Sequence, residues 1–223
     1  MTLETLRFNE KNIKKDKRDA NQVKKILRKN NIFTINLLGS PGAGKTSILE
    51  KVIERLGQRG KIAVIEGDLY TNRDGIRLKK YGTQVVQVNT EGISHLEPGM
   101  IIEALNKIDL KKVELLLIEN VGNLVSTANY DLGEDVKVTV LSVPEGSDKL
   151  LKYPYIFQKA EIMILNKIDL IPYTSFSINE IKKDLIELKD FIHIYQISCE
   201  NGAGIDDFCY YLQDKVRLNK SAV

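Results

Sequence analysis

The stretch Gly39-Ser40-Pro41-Gly42-Ala43-Gly44-Lys45-Thr46, followed by Ser47, constrains the possible folds of this chain more than any other. Before it lies a short apolar, β-rich run at residues 32–38. After it, Ile48, Leu49, Val52, Ile53 and Leu56 repeat at helical spacing. A strand, a glycine-rich turn and a helix in that order gather backbone N–H groups and a positive helix end around one point. The spelling G-x-x-x-x-G-K-[ST] is that of a loop that wraps nucleotide phosphates. Residues 39–47 are therefore the expected phosphate contacts, with Lys45 reaching the β- and γ-phosphates and the Thr46 hydroxyl on Mg²⁺.

The remainder of the chain alternates strand and helix. Further strands are expected at residues 61–66, 84–89, 113–118, 136–143, 161–165 and 192–197. A last amphipathic helix, at about 205–216, carries Phe208, Tyr211, Leu212 and Val216 on one face. This alternation predicts an α/β fold with a doubly wound, mostly parallel sheet, the phosphate-loop NTPase architecture, whose ligands bind outside the carboxyl ends of the strands. We expect a basic extension or helix at 1–30, the nucleotide domain at 31–218 and a tail at 219–223. In the first segment Lys11, Lys14, Lys15, Lys17, Arg18, Lys24, Lys25, Arg28 and Lys29 surround Val23, Ile26 and Leu27. It reads either as a helix that docks an acidic partner or as a solvated amphipathic helix packed across the domain edge.

A length of 223 residues suffices for one large core. A net charge of +3 gives no reason to expect nucleic-acid or membrane binding, and no apolar run approaches membrane-spanning length. Two cysteines, Cys199 and Cys209, make no disulfide framework, so a cytoplasmic location is expected. Cys209 reads as a small buried hydrophobe, Cys199 as no redox centre, and His193 as a structural residue of a strand at 191–194.

Asn-Lys-Ile-Asp occurs twice, at 106–109 and 166–169. Such a loop reads guanine because the Asp carboxylate accepts two hydrogen bonds from the base edge, while the Lys stem lies along the ring and the Asn braces the loop. The second copy hangs from the strand at 161–165, whereas the first ends a helical repeat of Met100, Ile101, Ala104, Leu105 and Ile108. Asn166, Lys167 and Asp169 are the expected guanine readers, and Asn106 to Asp109 a decoy.

Two acids stand near strand ends, Asp68 and Glu119. With Thr46 they are the expected Mg²⁺ ligands, and with Lys45 the expected catalytic residues; Asp68 can also be read as a solvated turn acid. Gly122 would let the backbone approach the γ-phosphate and register its loss. No glutamine takes a water-orienting place, so intrinsic hydrolysis is expected to be slow.

The segments Glu119-Asn120-Val121-Gly122-Asn123-Leu124-Val125, Asp131-Leu132-Gly133-Glu134-Asp135, Glu145-Gly146-Ser147-Asp148-Lys149 and Lys152-Tyr153-Pro154 resemble the HypB family of hydrogenase nickel-incorporation GTPases. The resemblance implies a phosphate-loop GTPase of the SIMIBI class that uses GTP, GDP and Mg²⁺ and helps load nickel into nickel–iron hydrogenase. It implies a homodimer when GTP is bound, a HypA-like metallochaperone and the hydrogenase large subunit as partners, with no nucleic acid or membrane. Ser198, Cys199 and Glu200 fall where the family has a second guanine-contacting loop. Lys149 and Lys152 fall near the partner subunit, as a switch across the two-fold or as plain surface lysines. Where the family's metal site has a Cys-His pair and a further cysteine, this chain has Ser94, His95 and Ser126. Serine hydroxyls are poor ligands for Ni²⁺ or Zn²⁺ beside thiolates, so His95 implies weak or transient binding only. A metal-storing chaperone, or a related GTPase serving urease or a cobalamin-dependent mutase, is the alternative.

Overall fold

The structure, a computed structural model, describes residues 4–7, 13–57, 60–69, 73–189 and 192–221. Its centre is a sheet of eight strands: β1 (Glu4–Arg7), β2 (Phe33–Gly39), β3 (Ile62–Asp68), β4 (Gln84–Asn89), β5 (Leu115–Glu119), β6 (Val136–Ser142), β7 (Ile162–Asn166) and β8 (His193–Ile197). They lie in the order β1-β4-β3-β5-β2-β6-β7-β8, and every pairing is parallel. The chain leaves β2 toward β3 on one side and crosses later to β6 on the other. The carboxyl end of β2 is thus a topological switch point, where ligands of open α/β sheets bind.

Helices α1 (Ile13–Lys29), α2 (Lys45–Leu56), α3 (Arg73–Lys79), α4 (Pro98–Leu105), α5 (Lys149–Lys152), α6 (Pro154–Lys159), α7 (Ile178–Leu188) and α8 (Ile205–Ser221) cover the two faces. The pleat sorts the strand residues between them. On β3, Ile62 and Val64 join Ile48, Leu49 and Val52 of α2 and Phe208 and Leu212 of α8. Their neighbours Ala63 and Ile65 face the other way, into a cluster with Val23 and Leu27 of α1 and Met100, Ile101 and Ala104 of α4. Burying one such aliphatic side chain stabilises by about 1.5–3 kcal/mol, which fixes each strand's facing.

The first strand was not legible: the basic segment reads as helix alone, yet Glu4–Arg7 pairs with Val86–Asn89 at the sheet edge. Four residues without an apolar run give no periodic signal, and β4 supplies the partner. Helix α1 then packs Val23 and Leu27 into the core and turns Lys17, Arg18, Lys25 and Arg28 to solvent. Lys11 and Phe191 lie outside the described residues. The last helix runs to Ser221, beyond 216 and through 219–221 of the expected tail; its final turns hold Arg217 against Asp214 and Lys220 against Glu114. No helix among the described residues is long and apolar enough to cross a membrane.

Candidate functional site

β2 ends at Gly39, and the chain turns through Ser40–Gly44 into α2, whose first residue is Lys45. Gly44 adopts φ +95°, and a Cβ there would stand 2.3 Å from the Asn166 amide nitrogen. Only glycine lets the loop close this tightly on its neighbour. Lys45 is buried and its Nζ donates to the carbonyls of Gly39 and Ser40 at 3.2 and 3.1 Å, so the ammonium lies within the curl of the loop. The Ser40 hydroxyl donates to Glu145, whose other oxygen accepts from the Ser142 N–H at 2.9 Å and hydroxyl at 2.8 Å. Glu145 thereby fastens the phosphate loop to the end of β6.

A cavity of about 440 Å³ opens beside the loop, lined by Lys45, Thr46, Glu66, Asp68, Arg77 and Glu119 among others. The Thr46 hydroxyl donates to Glu119 Oε1 at 2.7 Å. Asp68 and Glu119 stand at strand ends, as expected, and are themselves the last residues of β3 and β5, which run past the expected 66 and 118. The pleat therefore sets their direction. Glu66 stands two residues before Asp68 and in register with Glu119, so all three acids share one face at the carboxyl edge. Glu66, 2% exposed, was missed in the sequence, although its two-residue spacing from Asp68 was a usable signal. Gly122 abuts the loop directly: a Cβ there would lie 2.9 Å from Pro41.

The second tetrapeptide meets the same loop from the other side. Asn166 donates through Nδ2 to the Ala43 carbonyl at 2.9 Å, and Lys167 Nζ donates to the Gly42 carbonyl at 2.8 Å. Lys167 adopts φ +61°, an uncommon conformation for a side-chain-bearing residue and one that recurs at functional sites. The Ser198 hydroxyl donates to Asp169 Oδ1 at 2.5 Å, and the same hydroxyl accepts the Glu200 N–H at 3.2 Å. Asn166, Lys167, Asp169, Cys199 and Glu200 line a second cavity of about 390 Å³ that shares Gly44, Ser47 and Lys167 with the first. Burial pushes the Cys199 thiol up to about 11, and that of Cys209, in α8, to about 12. Both are neutral at physiological pH.

The first tetrapeptide is at the opposite end of the molecule. Asn106 caps α4, and the Asp109 N–H and carbonyl pair with the side chain of Gln84, which begins β4. Its carboxylate lies 2.9 Å from Lys112, whose hydrogen bond holds it below the usual range. The amino ends of parallel strands are remote from the phosphate loop by construction.

Lys152 is exposed and paired with Asp148 at 2.5 Å. Lys149 is less exposed, 3.9 Å from Glu145 and over the Tyr153 ring. Ser94 and Ser126, on different loops, touch through their hydroxyls at 2.9 Å, and the Ser126 hydroxyl donates to the Ser94 carbonyl at 2.9 Å. His95 stacks on Tyr130 with centroids 3.9 Å apart, and burial pushes its imidazole below the ordinary value. Among the described residues no three His, Cys, Asp or Glu side chains converge as a metal site. His193 is exposed at the start of the edge strand β8, beside Tyr195.

A buried polar chain connects the loops. Asn120 Oδ1 accepts from the N–H groups of Leu96 and Val121, both at 3.0 Å, and its amide nitrogen donates to Asn36 at 3.3 Å. Asn36 in turn donates to Glu134, which Lys137 neutralises at 2.6 Å.

A switch-point phosphate loop, a cluster of strand-end acids and a second loop braced on the first define a nucleotide-binding protein of the phosphate-loop class. The family model for the CobW/HypB/UreG nucleotide-binding domain matches residues 33–196. Hydrogenase maturation factor HypB of Azotobacter vinelandii is 43% identical over 182 residues, 82% of this chain and 60% of that protein, so the chain spans about three-fifths of that relative's length. The hydrogenase/urease maturation factor HypB of Helicobacter pylori is 38% identical over 91% of this chain and 90% of its own. The crystal structure of HypB from Helicobacter pylori in complex with nickel superposes with a TM-score of 0.87 at 38% identity, covering 92% and 96% of the two chains. This chain belongs to the HypB family, and its doubly wound fold is that of the SIMIBI class of phosphate-loop proteins.

Proposed function

We propose that this chain is a GTP-hydrolysing accessory protein for nickel insertion into nickel–iron hydrogenase, working in the cytoplasm as a nucleotide-switched dimer. The observation that carries the nucleotide reading is the bracing of Asn166 and Lys167 on Ala43 and Gly42, which joins a guanine-type loop to the phosphate loop in one continuous cleft. Asp169, oriented by Ser198, accepts the two base-edge donors that guanine offers and adenine lacks. Ser198, Cys199 and Glu200 close the far side of the base.

At the phosphate end the backbone N–H groups of residues 40–46 and the start of α2 hold the β- and γ-phosphates, with Lys45 bridging them. The all-oxygen donor set of Thr46, Asp68 and Glu119 fits magnesium, a hard cation that keeps several waters; when bound it neutralises charge on the β- and γ-phosphates. Thr46 and Glu119 already converge at 2.7 Å. Gly122, against Pro41, lets its loop follow the terminal phosphate.

The client assignment rests on family membership: the Azotobacter relative is named for hydrogenase maturation, the Helicobacter one for hydrogenase and urease. Urease or a cobalamin-dependent mutase is the alternative client. A HypA-like metallochaperone and the hydrogenase large subunit are the partners. Nickel is cargo, and with Ser94 and Ser126 joined to each other we infer that this chain holds it weakly.

The test has two arms. The purified chain should bind and hydrolyse GTP in preference to ATP. In cells the chain should co-purify with a hydrogenase large subunit, and its deletion should leave that subunit without nickel. Nickel-replete hydrogenase in the deletion strain would sink the client assignment.

A further inference from the structure

Glu50, on α2, is a nearly buried carboxylate held by two cations from one segment. Arg77 Nη2 lies 2.5 Å from Oε2 and Lys80 Nζ 3.3 Å from Oε1. A buried carboxylate requires a compensating charge, and one cation supplies it. The second is therefore transferable to another anion without stranding Glu50.

The two cations differ in what they face. Arg77 lines the phosphate-end cavity together with Lys45, Asp68 and Glu119; Lys80 does not line it. Glu50 itself borders the adjoining base-end cavity, so the ion pair runs from the lining of one cavity to that of the other. The Arg77 side chain is 45% exposed at the rim of the phosphate-end cavity. Its guanidinium is always charged and presents a planar fork of donors that matches phosphate oxygens.

We propose that Arg77 is a cis-acting catalytic arginine. It passes from Glu50 to the terminal phosphate of the bound triphosphate, while Lys80 retains Glu50. This rests on the GTPase reading above. In the reaction a water oxygen forms a bond to the γ-phosphorus, and the bond between that phosphorus and the β–γ bridging oxygen breaks. GDP leaves with the electron pair, and the water's proton ends on inorganic phosphate. Charge develops on the bridging and equatorial oxygens, where a guanidinium stabilises the transition state more than the ground state.

Arg77→Ala, Arg77→Lys and Lys80→Ala in the full chain test this. Each is assayed for GDP affinity with a fluorescent analogue, for single-turnover GTP hydrolysis and for capture of the GDP–aluminium fluoride complex. Arg77→Ala should keep GDP affinity within about twofold, lose about 10²-fold in hydrolysis, as expected for one transition-state donor, and lose the aluminium fluoride complex. Arg77→Lys should recover part of the rate. Lys80→Ala should slow hydrolysis roughly several-fold, because Arg77 then becomes the cation left to Glu50 and is held there. Wild-type hydrolysis in Arg77→Ala would overturn this inference alone. So would equal losses of GDP affinity and rate with a lowered Tm, the signature of a clamp between α2 and α3. A wild-type chain that binds no GTP, or never hydrolyses it, would overturn the GTPase reading with it.

Discussion

Substituting Asp169→Asn isolates the base-reading step from the rest of the site. The Ser198 hydroxyl donates to Asp169 Oδ1, so one oxygen of the carboxylate is already oriented. An asparagine can keep its carbonyl toward Ser198, leaving its NH₂ to face the base. Loop geometry is thereby retained while an acceptor becomes a donor. Guanine then meets donor against donor, whereas xanthine, which carries a carbonyl where guanine has its amino group, meets a match. The asparagine carbonyl can still accept one base-edge N–H, so one hydrogen bond to a charged group is lost outright, at a cost of about 1.5–3 kcal/mol. That is a loss of about 10–10² in GTP affinity, with xanthosine triphosphate becoming the better ligand. The assay is calorimetric titration or a fluorescent nucleotide analogue, because the chain has no Trp to report binding. Asp109→Asn is the matched control: its carboxylate meets Lys112 at the remote end of the sheet, and GTP affinity should not change. Equal losses from both substitutions, or a wild-type chain that takes ATP as readily as GTP, would refute the assignment.

Light scattering with a non-hydrolysable GTP analogue should report a dimer and GDP a shift to monomer, with Lys149→Ala plus Lys152→Ala removing the difference; a monomer in both states defeats the switch. Ser94→Cys plus Ser126→Cys, kept reduced, should bind Ni²⁺ or Zn²⁺ markedly more tightly than the wild type, since the two hydroxyls it replaces are 2.9 Å apart beside His95. Tight stoichiometric nickel binding by the unaltered chain, lost in His95→Ala, contradicts that account. Leu27→Ala should lower unfolding free energy by about 2–5 kcal/mol in denaturant titration, as for a core leucine, and a change below about 0.5 kcal/mol would mean that α1 is dispensable.

Local order made much of this molecule legible. The strand–loop–helix around Gly39–Thr46 announces itself because the glycines, the lysine and two hydrophobic periods fall within one continuous segment. The twin tetrapeptides could be ranked because only one follows a strand, and parallel strands send their carboxyl ends to one side. What stayed hidden depends on tertiary juxtaposition. Glu66 becomes part of the acid cluster only once β3 and β5 are in register. Glu145 gains its hold on Ser40 from a contact across 105 positions of sequence. Arg77, on a short helix, meets Glu50 across 27 positions, a distance no periodic pattern encodes. Glu4–Arg7 becomes a strand because β4 offers an edge, not because its own residues insist on it.

The side-chain oxygen of Asn120 bonds backbone donors on two separate loops, Leu96 on the segment that carries Ser94 and His95, and Val121 beside Gly122. Both acceptor positions of that oxygen are occupied, and uncovering either buried donor costs about 1–3 kcal/mol. The two loops consequently have one low-energy freedom between them instead of two. Their opening should be a single event in amide hydrogen exchange, with the Leu96 and Val121 amides exchanging in step and Asn120→Ala releasing both together.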